Sequence, residues 1–147
     1  MIQGEKSQAI EAPPDRIWAI VADIATYPRW HPFFSTVDVS GRDPAGRATR
    51  AACAHPTPVG VLHTQIVITY DPVSQVEAVR AGGDLKAMRG TFVLEAADGA
   101  TLVTHRLVVD PGFRLGLLLH GRVADRVRES VLAGALNGLA AQVAADV

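Results

Sequence analysis

A single cysteine, Cys53, is all that this chain contains. No intramolecular disulfide can form, so the fold depends on its core and an oxidising compartment is not required. Cys53 has no neighbouring cue for a lowered pKa and reads as a structural thiol. Basic charge is equally thin. Lysine occurs only at Lys6 and Lys86, no basic run exceeds two residues, and the formal net charge is −1. A nucleic-acid or anionic-membrane binder would carry a basic patch, which is missing. No apolar stretch reaches the roughly 18–20 residues of a membrane span, and no basic segment followed by an apolar run opens the chain as a secretory signal would. The expectation is a soluble cytoplasmic protein with neither a nucleic-acid partner nor membrane insertion. The five histidines lack H-x-H or H-x-x-x-H spacing, so no metal site and no cofactor are expected. A phosphate-cradling glycine loop, a G-x-S-x-G elbow, internal repeats and linkers are absent too.

What is present is a core. The chain has 147 residues, 48% of them hydrophobic, which fits one domain spanning 1–147 that buries about two thirds of its unfolded surface.

The richest stretch is Ile10 to Phe34, I-E-A-P-P-D-R-I-W-A-I-V-A-D-I-A-T-Y-P-R-W-H-P-F-F. Pro13 and Pro14 suit a helix start, where a missing N–H costs nothing, and Asp15 complements the helix dipole. Ile17, Val21 and Ile24 recur at helical spacing, with Trp18 and Ile20 widening the stripe. Thr26-Tyr27-Pro28 is expected to end this helix, because the residue before proline is pushed out of the α region. Trp30 and His31 fall on a short second turn stopped by Pro32.

From Phe33 to Asp110 the period becomes two, and turn signals separate six candidate strands. Among these signals are Gly41–Gly46, His55-Pro56-Thr57-Pro58, Asp71-Pro72, Gly82-Gly83-Asp84 and Asp98-Gly99. A type I′ turn at Asp98-Gly99 sets Leu94 opposite Val103, Phe92 opposite His105, Gly90 opposite Leu107 and Met88 opposite Val109, all on one face. Arg89, Thr91, Glu95, Thr104 and Arg106 take the wetter face. Leu62, Ile66, Ile68 and Tyr70 are expected inward from the preceding long strand, and His63, Gln65 and Thr69 outward. Around Arg50 and Val76 the alternation leaves the parity open.

A long helix is expected over roughly 118–145. Val123, Val127, Val131 and Ala135 form one apolar row, and Leu132, Leu136, Leu139 and Val143 another. Gly134 and Gly138 suggest close helix–sheet approach or space left for a ligand.

This order resembles the helix-grip fold of the START-like superfamily, also called SRPBCC. I-E-A-P-P-D-R-I-W-A-I-V-A-D is similar to the opening of its polyketide cyclase/dehydrase and lipid-transport branch, and T-Y-P-R-W-H-P-F to the corner that follows. G-T-F-V-L-E-A-A-D-G-A-T-L-V-T-H-R-L and the late A-L-N-G-L also fit. The resemblance implies an α+β fold: a seven-stranded curved antiparallel sheet with two short helices and a long C-terminal helix enclosing a cavity. It also implies a small hydrophobic ligand (lipid, quinone or polyketide-like). Met88, Phe92, Leu107, Leu62, Ile66, Val123 and Val127 are expected to line the cavity. Phe113, in the Pro111–Leu117 connection, is expected at its mouth.

The polar groups expected to face inward are His105 and Tyr70, with His31, His55, Arg50 and Trp30 at the rim. His105 and Tyr70 are the candidate acid–base pair should the chain act as a polyketide cyclase or dehydratase. Aromatising cyclases with a similar fold have an inward arginine, whereas Arg89 and Arg106 are expected outward. A carrier without catalysis is therefore the favoured expectation. The Tyr-Pro corner also resembles a ubiquinone-binding and ribosome-associated toxin branch, which implies a protein-interaction module. A homodimer is left open.

Overall fold

The computed structural model describes residues 1–146. Seven strands run β1 (Ile2–Ile10), β2 (Thr36–Arg42), β3 (Ala48–Thr57), β4 (Gly60–Asp71), β5 (Gln75–Gly83), β6 (Ala87–Ala97) and β7 (Ala100–Asp110). They form one antiparallel sheet in the order β1-β7-β6-β5-β4-β3-β2. The long helix α3 (Gly121–Ala145) lies across β1 and β7 and meets α1 (Pro14–Val21). A five-residue helix, α2 (Gly112–Gly116), joins β7 to α3. This is the expected helix-grip architecture.

The β6–β7 hairpin has the register that its turn chemistry dictates. Asp98 and Gly99 both have positive φ (47° and 83°), the signature of a type I′ turn. Leu94 pairs with Val103, Phe92 with His105, Gly90 with Leu107 and Met88 with Val109. Except for Gly90, which is half-buried, these residues are buried. Thr91, expected on the wetter face, is buried as well, opposite Arg106. Where β5 meets β4 the register slips between Gln65 and Ile66, one extra residue on β5 that bends the sheet.

Three boundaries differ from the sequence expectation. The first helix stops at Val21 rather than near Tyr27, and a 3-10 turn (Ile24–Arg29) follows with Pro28 inside it. The Val21 carbonyl, which one more helical turn would have bonded, instead accepts the Tyr27 hydroxyl at 2.6 Å. The final helix begins at Gly121, because His120 is extended and Gly121 has a φ of 56°, which breaks the rod after α2. The third boundary is the signal at 55–58, of which only Pro58 is turn, since β3 continues to Thr57 and the turn is Pro58-Val59. Pro56 lies past Ala54, the last residue paired to β2, where β3 has an open edge on which proline is tolerated.

Gly134 and Gly138 serve a close approach, made to the aromatic corner rather than to the sheet. A Cβ on Gly138 would sit 2.0 Å from the Trp30 carbonyl oxygen, and one on Gly134 would sit 2.8 Å from the Pro32 ring. The helix is thereby seated on Trp30–Pro32, which carries His31 beneath it.

Candidate functional site: a histidine chain and an open hollow

His31, His55 and His105 are all buried. The sequence places His31 and His55 at a rim; the corner turns His31 into the centre, and β3, continuing to Thr57, carries His55 there. Their hydrogen bonds assign every ring proton. The Phe33 amide can only donate, so His31 Nδ1 accepts it at 3.2 Å. The Thr91 carbonyl can only accept, so His105 Nδ1 donates to it at 3.0 Å. The remaining bond, 3.2 Å between the two Nε2 atoms, then runs from His31 to His105. By the same logic His55 Nδ1 donates to the Phe33 carbonyl at 2.7 Å, and its Nε2 accepts the Thr64 hydroxyl at 2.6 Å. Both backbone groups of Phe33 are therefore committed to histidines.

All three rings are neutral near pH 7. Burial lowers the pKa of His105 to about 4, against a weaker upward pull from its bond to Thr91. Burial likewise lowers that of His55 to about 4. His31 is held well below its ordinary value by burial and then by the neighbouring His105. Each ring also has an aromatic face. Phe92 stacks on His105 at 4.1 Å, Phe33 on His55 at 4.3 Å, and Tyr27 on His31 at 5.6 Å between centroids.

This aromatic packing decides how much space remains. The enclosed cavity between sheet and corner is about 20 Å³, bordered by Tyr27, His31, Phe34, Gly90, Phe92 and His105. That is room for about one water molecule. A Cβ on Gly90 would meet nothing within 4 Å, so the space is what its missing side chain leaves.

The expected pairing of His105 with Tyr70 is not made. Tyr70 pairs with Val76, Val76 with Phe92, and Phe92 with His105, which separates the two by three strand spacings, about 14 Å. The Tyr70 hydroxyl donates to the Ala48 carbonyl at 2.6 Å, with Arg47 over its ring, and burial raises its pKa to about 12. Arg50, expected at the rim, is exposed opposite Val67 on the outer face. Trp30 is buried against Tyr27 and Phe92, and its indole Nε1 has no partner. Ile66, Met88 and Leu107 are buried in the core. Val123 is half-buried, and Val127 borders a hollow of about 150 Å³ with Pro32, Pro56, Pro58 and Val131. Cys53 is buried, and its thiol pKa is pushed up to about 12, so it is expected to resist thiol reagents until the protein unfolds; prompt labelling of native protein would contradict this.

The roomy space lies at the α2 end. A solvent-open hollow of about 820 Å³ is bounded by Leu62, Leu85, Pro111, Phe113 and Leu115, with Arg80, Asp84, Lys86 and Arg114 among them. Leu85 is buried, while Phe113 is 84% exposed and Leu117 and Leu118 stand open beside it. Arg80 is the residue that sequence reasoning missed. Its register partner across the bulge is Ile66, so it shares the inner face with Val76 and Ala78. Among the described residues no three metal-ligating side chains gather, and no helix is long and apolar enough to cross a membrane.

Residues 1–144 match the family model for polyketide cyclase / dehydrase and lipid transport. No curated protein matches the chain. Among solved structures, a START superfamily protein from Mycobacterium smegmatis superposes with a TM-score of 0.84 at 17% identity over 100% of both chains. A protein from Thermus thermophilus gives 0.84 at 20% identity over 98% of each. The ZhuI aromatase/cyclase from a Streptomyces species gives 0.70 at 17% identity, over 96% of this chain and 92% of its own. At such identities the likeness shows a shared fold. The family match supports a general hydrophobic-ligand cavity without specifying ligand or reaction. With a helix-grip architecture throughout and a family match over nearly its full length, the chain belongs to the polyketide cyclase/dehydrase and lipid-transport family of the START-like superfamily.

Proposed function

We propose that the protein binds and carries a small hydrophobic molecule seated in the hollow at the α2 end. The observation that carries this reading is the solvent-open hollow of about 820 Å³ whose apolar side is formed by Leu62, Leu85, Pro111, Phe113 and Leu115. Phe113 and Leu115 come from α2, so the ligand would lie between this short helix and the sheet. The histidine pair supports carriage over turnover. All four ring nitrogens of His31 and His105 are engaged, which leaves none free to exchange a proton with a substrate.

The test has two parts. Native followed by denaturing mass spectrometry of the purified protein is expected to release an apolar small molecule. Nile red, a neutral apolar dye, is expected to bind saturably and to lose about tenfold in affinity in Phe113→Ser, the scale of losing part of a buried phenyl contact. Because Phe113 is exposed, this variant leaves the core intact. Absence of both a released molecule and saturable dye binding would overturn the reading.

A further inference from the structure

We propose that the α2 end docks on an anionic lipid bilayer, lying on its surface without crossing it. The proposal goes beyond the reading of the hollow and does not depend on it, because its two central residues, Leu117 and Leu118, stand outside the hollow's wall.

Six large apolar side chains are exposed among the described residues, and three of them, Phe113, Leu117 and Leu118, fall within one six-residue stretch. They are 84%, 61% and 57% exposed. A single exposed leucine is ordinary, but a cluster marks a surface that meets something apolar. Phe113 borders the hollow, whereas Leu117 and Leu118 do not, so a ligand held there leaves both leucines in water.

The charge around the cluster has one sign. From Pro111 to Ala124 the chain carries Arg114 and Arg122 and no carboxylate. Both arginines are exposed, and neither has an acidic partner within ion-pair distance among the described residues. The carboxylates that flank the stretch are already paired, Asp110 with Lys86 at 3.9 Å and Asp125 with Arg128 at 3.0 Å. Asp84, the one carboxylate bordering the hollow, is outnumbered there by Arg80 and Arg114. Apolar side chains beside unpaired arginines match a lipid surface, where the former enter the acyl boundary and the latter meet phosphates. No basic run is needed, because the apolar side chains supply most of the attraction. A folded partner would find little to grip. α2 is five residues long and both leucines lie past its end in a turn, so no long ridge is offered to a groove. A fluid bilayer requires no matching shape.

Co-sedimentation tests this, with vesicles of phosphatidylcholine alone and vesicles containing about 30% phosphatidylglycerol. The wild type is expected to bind the anionic vesicles about tenfold more tightly, the scale of two arginines near a charged surface. Leu117→Ser/Leu118→Ser is expected to lose at least ~tenfold in that binding, and Arg114→Gln/Arg122→Gln to lose the preference for anionic vesicles. Both leucines are exposed, so the fold is kept, which thermal melting verifies, and Nile red binding without vesicles stays unchanged in the leucine variant. Absence of wild-type binding to the anionic vesicles, or binding that survives loss of both leucines, would overturn the docking and leave the hydrophobic site standing. A wild-type dimer in sedimentation equilibrium that the leucine variant turns into monomer would also overturn it, and would assign the patch to a second copy of this chain.

Discussion

Acidification from pH 7 to about 4.5 is expected to unfold this protein, well before ordinary carboxylates finish titrating. His55 and His105 have pKa values of about 4 in the fold against 6.5 when exposed, and His31 is lowered by the same burial. Between those values the unfolded chain takes up protons that the folded chain refuses. The stability these rings contribute is full above about pH 6.5 and is lost as pH falls toward 4. Each gap is worth about 3 kcal/mol, so two rings together rival the ~5–15 kcal/mol that holds a domain folded.

The hydrogen-bond directions sharpen the expectation. A second proton on His31 would point Nδ1–H at the Phe33 amide, and one on His105 would oppose Nε2–H to the donor on His31. Neither ring can charge without breaking a bond. His55 is more forgiving, since the Thr64 hydroxyl can turn and accept. Urea unfolding at pH 7.5, 6.5, 5.5 and 4.5 reads this directly. The midpoint should fall steeply below about pH 6.5, and less steeply in His55→Asn, whose amide can bond Phe33 and Thr64 without titrating. A midpoint constant down to pH 4.5 would refute the assignment of neutral, proton-refusing rings.

Gly138→Ala is the second change expected to be severe. Within a helix alanine is favoured over glycine by about 1 kcal/mol. Here the added Cβ would stand 2.0 Å from the Trp30 carbonyl oxygen, a backbone atom that cannot rotate away. α3 or the corner must shift, and with it His31. A loss of about 3 kcal/mol and a fall in Tm near 10 °C are expected. Gly90→Ala is the matched comparison, since its Cβ would enter open space and should change stability little. Equal melting temperatures for both variants would show that the helix–corner contact is not tight.

The β6–β7 hairpin was legible because two independent signals agreed, a D-G turn and an alternating apolar face. That hairpin alone placed Phe92 against His105. The partner of His105 was not legible. His31 lies in a corner without strand periodicity, and its inward place depends on the close seating of α3, through Gly134 and Gly138, on Trp30–Pro32. His55 was masked by Pro56, which reads as a turn although β3 continues through it. Arg80 was hidden for a different reason. Along V-E-A-V-R-A each alternate set carries one charge among apolar residues, so no face is favoured until the bulge against β4 fixes the register. The fold thus rested on local patterns that repeat, whereas the site depended on single contacts between segments far apart in sequence.

The sheet order has a consequence for how the chain is made. Of the seven strands β1 is made before the others, yet its sole neighbour is β7, with Ile2 paired to Val109 and Ile10 to Thr101. On a ribosome β1 must wait for about a hundred residues before its hydrogen bonds can close, and contacts of such long range make folding slow. For that interval Ile2 and Ile10 belong to an unpaired edge, and crowding between nascent chains is the hazard this topology carries.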